Sequence, residues 1–288
     1  MTIVCAVLLS VAVVIGAGLF LFNLRNRVLA ENERNLSNTA LILAKQIEQI
    51  FTKVESVQNA IIKQTADLGI SDAADLDLQL SQHEFHLKLR DQAAAVPFIG
   101  SFTIINAQGR VINSSRQWPS PVIDLSHRDY FKPLQSDPNL TSFVGGPVRG
   151  PTTQTMIMPL LRKITGPNNE FLGLFSAAID LRSLQNNFSE VTIDADSAIA
   201  LFRHDGMLLA RFPRIDKNIG RHFPNATSLK LVSAASQGAG VSIGQISGHS
   251  RMVAAQRVGA YPIVISVTRT MAAVLADWRR TAAYVVSI

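Results

Sequence analysis

The chain has 288 residues, 47% hydrophobic and 17% charged, with 27 basic and 21 acidic side chains and a formal net charge of +6. That length and apolar content exclude a disordered tail and allow one large domain or two small ones. The single cysteine, Cys5, lies in an apolar run, so an intrachain disulfide and a thiolate metal site are excluded as well.

The positive excess does not point to nucleic acid. Residues 96–288 carry 19 basic and 11 acidic side chains, scattered among apolar runs, with no basic cluster and no aromatic RNP-like motif. A solvated surface with one or two arginines facing an anionic ligand explains the balance.

The first element is IVCAVLLSVAVVIGAGLFLF (3–22), 20 residues without a charge and long enough to cross a lipid bilayer as a helix. No small-x-small cleavage site with a polar flank follows it, which predicts an uncleaved anchor. No Lys or Arg precedes the run, whereas Arg25, Arg27 and Arg34 follow it. By the positive-inside rule this charge pattern puts the rest of the chain in the cytoplasm.

From Leu36 the apolar positions Leu36, Ala40, Leu43, Ile47, Ile50, Val54, Val57 and Ile61 alternate in steps of four and three. That is an a/d seam on a long helix, to be covered by a second chain or by the helix's own domain. A second helix is predicted from an N-cap at Ser71, ahead of Asp72 and Asp75, to about Ala95, with Pro97 ending it. Within it, His83 and His86 are three apart without a third metal ligand, so both are expected at the surface.

Beyond Pro97 the pattern changes to short strand-like runs separated by Gly, Asn and Pro. TIINAQGRVINSS (103–115) aligns without gaps to ALFRHDGMLLARF (200–212), each a hairpin with a glycine in its turn, Gly109 or Gly206. The runs 155–181 and 250–270 each add two more strands, so the order repeats and implies two small antiparallel sheets in series. QGAGVSIG (237–244) lacks the Gly-Lys-Ser/Thr ending of a phosphate loop and is expected as a mobile turn between strands. The last eight residues, TAAYVVSI, are apolar and predict either the start of a second membrane helix or a frayed end.

SHRDYF (126–131) imitates a protein-kinase catalytic loop, but the fifth residue after Asp129 is Leu134 and no Asp-Phe-Gly occurs. A hydrolase using His127 or Asp129 lacks a Gly-x-Ser-x-Gly elbow.

The joint order of the apolar run, the long helix, HRDYFKPL, FVGGPVRG, FLGLFSAAIDL, DGMLLARFP and YPIVISVT resembles the double Cache (tandem PAS-like) sensor domain of bacterial transmembrane receptors. The resemblance covers nearly the whole chain. It implies an α+β fold: a transmembrane helix (1–23), a long stalk helix and second helix (24–95), a membrane-distal PAS-like ligand-binding module (96–190), a membrane-proximal PAS-like module (191–270), and an exit helix running into a second span (271–288). The implied function is an extracytoplasmic input domain at the bacterial inner membrane, with a periplasmic sensor region. It has no cofactor, no metal and no catalytic residue, and it serves a diguanylate cyclase, histidine kinase or chemoreceptor output. A homodimer through the long helix is a further expectation, and a structural dimerisation module without ligand is the alternative.

Members of that family that bind amino acids carry a Tyr, then Arg-x-Trp-Tyr, then a later Asp. Arg offers a carboxylate its two-pronged fork, Asp accepts from an ammonium, and rings wall the pocket. Arg128, Tyr130 and Phe131 fall on the Arg-x-Trp-Tyr stretch and Asp180 on the late Asp, with Arg149 of the Gly-rich turn as a second anion contact. Tyr130 replaces Trp, Phe131 lacks the hydroxyl and Ile123 stands at the first Tyr, which favours a small carboxylate over an amino acid. Each residue also has a structural alternative: Arg128 and Asp129 pin a short helix, Asp180 caps LRSLQNNF, Tyr130 and Phe131 are core, and Arg149 is a solvated loop residue.

Overall fold

The computed structural model describes residues 2–287 except 152, 192, 193, 245 and 247, and side chains from residue 8 onward. The Cys5 side chain and residue 288 therefore lie outside the described residues.

Helix α1 (Thr2–Asp67) is one uninterrupted element of 66 residues, about 100 Å long at the usual helical rise. It ends at Gly69, whose φ of +71° lets the Ile70 amide turn back to the Thr65 carbonyl at 3.1 Å, the left-handed closure that glycine favours. Along the predicted seam, Leu36, Ala40, Leu43, Ile47, Val54 and Ile61 are buried and Ile50 and Val57 partly so. They pack into a core supplied by the chain's own two sheets, which settles how the seam is covered.

The expected helix from Ser71 to Ala95 is two helices, and its cap is Asp72 rather than Ser71. The Asp72 carboxylate accepts from the amides of Ala74 and Asp75, both at 2.9 Å, and opens α2 (Ala73–Leu80). Helix α3 (His83–Ala94) follows. The break has a tertiary cause: Asn113 Nδ2 donates to the carbonyls of Leu80 (2.7 Å) and Gln82 (3.1 Å), and Trp118 Nε1 to that of Ser81 (3.3 Å). The surface expectation fails for His86, which is 9% exposed. Its Nδ1 lies 2.7 Å from the Ser114 carbonyl, because this face of α3 packs on the first sheet.

That sheet is built from β1 (Ile99–Asn106), β2 (Val111–Ser114), β3 (Ser142–Val144), β4 (Val148–Arg149), β5 (Met156–Thr165) and β6 (Phe171–Asp180). Its order is β2-β1-β6-β5-β3, with β4 paired to β5. Helix α4 (Phe131–Ser136) lies between β2 and β3, and α5 (Leu181–Val191) follows β6. The second sheet comprises β7 (Ser197–Arg203), β8 (Leu208–Phe212), β9 (Gln237–Ile243), β10 (Ser250–Arg257) and β11 (Ile263–Thr270), in the order β8-β7-β11-β10-β9. Helix α6 (Thr227–Leu231) precedes β9, and α7 (Met271–Val274) and α8 (Ala276–Val286) close the chain. The repeated hairpin order thus becomes a repeated strand order. The expected mobile turn at 237–244 is instead β9, in register with β10 from Gln237↔Gln256 to Ile243↔Ser250. Glycine serves packing there: a Cβ on Gly238 would stand 2.6 Å from the Leu231 carbonyl oxygen.

Strand alternation gives each sheet two unlike faces. Phe102, Ile104, Met158, Leu160, Phe175 and Ala177 of the first sheet and Ile199, Leu201, Met252, Ala254, Ile265 and Val267 of the second share one core with α1. The opposite faces carry Ser101, Thr103 and Ser176 in one case and Ala200, Arg251, Ser266 and Thr268 in the other.

Each sheet holds its own length of α1. Arg269 Nη1 donates to Asn32 Oδ1 at 2.8 Å in the second sheet. Gln58 Nε2, 2% exposed, donates to the Leu160 and Phe175 carbonyls of the first at 3.0 and 3.3 Å. Glu55 sits at the joint, taking Arg162 Nη2 of β5 at 3.0 Å and the Tyr261 hydroxyl of the β10–β11 turn at 2.8 Å. Away from α1, Arg203 Nη1 donates to the Val144 carbonyl at 3.0 Å, joining the sheets directly. At the other end, α8 lies beside α1, and Trp278 Nε1 donates to the Leu21 carbonyl at 2.9 Å.

Candidate functional site

The outward face of the first sheet is roofed by the segment that follows β2. Two bonds stitch this roof down: Val111 N to Ile123 O at 2.9 Å and Leu125 N to Gly109 O at 2.8 Å. Gly109 has φ +86°, and a Cβ there would meet Ser126 at 2.6 Å, so only glycine lets the hairpin turn and the roof approach this closely. The Asp124 carboxylate accepts from Ser126 N at 2.8 Å, and the Ser126 hydrogen bonds hold its carboxyl below the usual range. The turn Leu125–Arg128 is then closed by Arg128 N to Leu125 O at 3.0 Å.

This construction swings Arg128 and Tyr130 over a cavity of about 30 Å³. The floor is Ser101 and Thr103 of β1 with Ser176 and Ala178 of β6, and Val111, Leu125, Ile157 and Pro159 supply apolar walls. Arg128 is half-buried and, among the described residues, its guanidinium makes no hydrogen bond or ion pair. Tyr130 is 4% exposed, and burial pushes its phenol up to about 12 against the pull of Arg128. No carboxylate lines the cavity. One cation, a neutral phenol and a set of hydroxyls make a place for a small anion rather than for a zwitterion.

The other three site candidates do not line this cavity. Phe131 is 3% exposed and packs edge-on against Phe171 at 5.9 Å, inside a small core with Ile105 and Leu134. Arg149 is exposed, gives Nη1 to the Gln154 carbonyl at 3.3 Å, and faces a separate open groove with Arg182 and Arg214. Asp180 accepts from Ser183 N and from Thr155 Oγ1, both at 2.8 Å. Burial works to raise its pKa, and the bonds from Ser183 and Thr155 outweigh it and hold the carboxyl below its ordinary value. Its acceptor positions therefore serve α5 and the β5 edge. The alternative by which Arg128 and Asp129 cap a short helix does not occur: α4 starts at Phe131 with Tyr130 at its cap and no capping side chain. His127 and Asp129 are exposed, and no hydrogen bond joins them among the described residues, so they form no general-base pair.

The polar floor went unnoticed in the sequence, although a signal exists. Ser101 and Thr103 alternate with Phe102 and Ile104, and Ser176 stands between Phe175 and Ala177, so period two puts the hydroxyls on the face away from the core.

A family model described as Cache domain matches residues 22–278. The chain belongs to the Cache-domain family. Cache domains are non-catalytic ligand-binding modules and extracytoplasmic sensors of membrane receptors. The extracellular domain of rpHK1S-Z16, assigned as a histidine kinase, superposes on this Cache domain with a TM-score of 0.73 at 23% identity, covering 87% of this chain and 99% of that one. The periplasmic sensory domain of the Campylobacter jejuni chemoreceptor Tlp1 gives 0.65 at 10% identity, over 86% and 98% of the two chains. The ligand-binding domain of the Pseudomonas fluorescens chemoreceptor CtaA, in complex with L-isoleucine, gives 0.61 at 14%, over 89% and 99%. At these identities the likeness is one of fold. No curated protein matches the sequence. The double Cache resemblance and the α+β architecture are borne out. Among the described residues of this Cache domain, one helix is long and apolar enough to cross a membrane, its most apolar window lying outside the core.

Proposed function

We propose that this Cache domain is the extracytoplasmic input of a membrane-bound signal-transduction receptor and that its first-sheet cavity binds a small carboxylate. The distal module is taken as 96–190 and the proximal one as 191–270. The order along α1 supports that naming: the first sheet engages Gln58 and the second engages Asn32, nearer the apolar run. The observation that carries the ligand class is Arg128, a guanidinium without a partner, over a floor of hydroxyls in a cavity without a carboxylate. Arg128 holds the carboxylate through its fork, Tyr130 donates its hydroxyl, and Ser101, Thr103 and Ser176 take the remaining lone pairs. Neither Phe131, Arg149 nor Asp180 reaches the ligand, which departs from the five-residue expectation.

Some relatives bear on the choice of ligand: CtaA is in complex with L-isoleucine, Mlp24 with asparagine and PctC with GABA. Here Asp180 is engaged by α5 and Thr155, so an ammonium group finds no acceptor among the lining residues. A cavity of about 30 Å³ holds about two or three water-sized groups, which suits an acetate-sized anion.

Residues 3–22 anchor the chain in the bacterial inner membrane, with the sensor region in the periplasm. Ligand binding draws the roof onto the first sheet and shifts the sheet against α1, biasing a two-state arrangement of the membrane helices. The output is a diguanylate cyclase, a histidine kinase or a chemoreceptor signalling domain. A homodimer through α1 would use its outer face, where Leu41 and Ile42 are 39% and 56% exposed, because the seam itself is spent within the chain.

The test is titration calorimetry on the full chain in detergent, with acetate, propionate, lactate and a panel of amino acids. Binding of a carboxylate that Arg128→Met abolishes is expected. Binding that survives Arg128→Met, or binding of amino acids alone, would sink the reading.

A further inference from the structure

The second sheet has a cavity of its own on the face turned away from α1, at about 80 Å³ larger than the first. Its floor is small: Ala198 and Ala200 of β7, with Ser266 and Thr268 of β11 beside them. Two arginines reach over that floor from opposite sides. Arg211 stands on β8 opposite Ala200, and Arg251 on β10 opposite Ser242. Their strands are three apart in the sheet order, about 14 Å between backbones, a span that two arginine side chains close from both ends.

Neither charge is neutralised where it stands. The Arg211 guanidinium makes no hydrogen bond or ion pair among the described residues, and its Nε is sealed from solvent without a partner. Arg251 is 9% exposed. It spends Nε on Thr268 Oγ1 at 2.9 Å and Nη2 on the Asp196 backbone carbonyl at 2.5 Å, and no bond is made by Nη1. The nearest carboxylates are occupied elsewhere: Asp194 pairs with Arg269 at 2.6 Å, and Asp196 accepts from Thr270 Oγ1 at 3.0 Å. Burial first and the Arg251 charge second push the Arg211 guanidinium below its ordinary value, so the pair is mutually unfavourable as it stands. Burying a cation without a partner is costly, and an arginine held only for packing is expected to find a carbonyl or carboxylate.

We infer that the cavity between Arg211 and Arg251 is a second binding site, for a small oxyanion that bridges the two guanidinium groups over the Ala200 and Ser266 floor. The volume admits about five to eight water-sized groups, enough for acetate, malonate or inorganic phosphate and too little for a peptide or a nucleotide. The hydroxyls of Ser242, Ser266 and Thr268 complete the donor set, while Phe202 and Phe223 wall it from solvent. The site is independent of the Arg128 cavity, which lies on the other sheet.

The experiment is thermal denaturation of the full chain in detergent micelles, in an anion-poor zwitterionic buffer, with acetate, malonate or phosphate added. Neutral malonamide serves as a shape control. Wild type and Arg128→Met are expected to gain several degrees with at least one of the three anions and nothing with malonamide. Arg211→Met is expected to lose the gain that Arg128→Met retains. Without added anion it should melt no lower than wild type, since it removes an unpartnered buried charge; a purely structural arginine would lower the melting point. Arg211→Lys, which keeps the charge and loses the fork, should show a reduced gain. The inference is overturned if no anion shifts Arg128→Met, or if Arg211→Met shifts as Arg128→Met does. A gain lost in Arg128→Met but kept in Arg211→Met would overturn this site and leave the first standing.

Discussion

Glu55→Ala probes the joint at which α1 holds both sheets. The substitution removes two bonds, one from Arg162 Nη2 at 3.0 Å and one from the Tyr261 hydroxyl at 2.8 Å. It also strips the charge from the Arg162 guanidinium's surroundings, and the Arg162 Nε is already buried without a partner. A hydrogen bond to a charged group contributes about 1.5–3 kcal/mol. The Glu55 and Arg162 side chains are 36% and 22% exposed, so solvent screens the pair and the low end applies. About 2–3 kcal/mol for the two bonds together follows, or a drop of about 4–12 °C for a domain of this size. Thermal denaturation followed by circular dichroism measures it. Tyr261→Phe in the Glu55→Ala background should then cost less than in wild type, because the hydroxyl has already lost its acceptor, and the coupling should reach about 1 kcal/mol. Strictly additive effects, or a Glu55→Ala melting point equal to wild type, would refute the claim that Glu55 ties the sheets together.

Phe131→Ala should cost about 3–5 kcal/mol in denaturant titration, as a buried phenylalanine does, while the stabilised variant Phe131→Leu leaves carboxylate affinity unchanged in calorimetry; a selective loss of affinity would return Phe131 to the site. Tyr130 and Tyr261 are both raised, chiefly by burial, from 10 to about 12. Their contribution is therefore full below pH 10 and is lost as pH rises through 12, seen as phenolate absorbance that appears late and with unfolding. Asp205 is held far below its usual 3.8, first by its side-chain bonds from Arg203. Its contribution is present above about pH 4 and fades as the solution is acidified further. Asp205→Asn should be less stable than wild type at neutral pH, with the gap closing in acid.

Local periodicity carried much of the architecture. The α1 seam shows itself in steps of three and four because one side of a helix must meet the sheets, and Leu43 and Val54 are both fully buried. The hairpins are marked by Gly109 and Gly206, whose φ values of +86° and +94° are turn chemistry that a sequence displays. What stayed hidden depends on partners remote in sequence. The break after Leu80 is made by Asn113 and Trp118, and His86 is drawn inward by Ser114. Gln237–Ile243 lacks strand propensity and becomes a strand because β10 offers it a full register. Asp180 shows the limit for the site: one residue fits both a ligand contact and a helix cap, and Thr155, 25 positions earlier, decides between them. Arg211 and Arg251 are 40 positions apart and carry no motif, so only the folded sheet brings them over one cavity.

The bond from Trp278 to Leu21 has a mechanical consequence for the end of the chain. None of the residues of α8 is buried, so the helix is hung on α1 by this indole as a door is hung on one pin. It lies one residue before the uncharged run ends at Phe22. A segment fastened at one point swivels more readily than it slides, because sliding must break the fastening whereas turning need not. What the second sheet passes on through β11 would therefore reach α8 as a change of heading, set at the level where the apolar part of α1 begins.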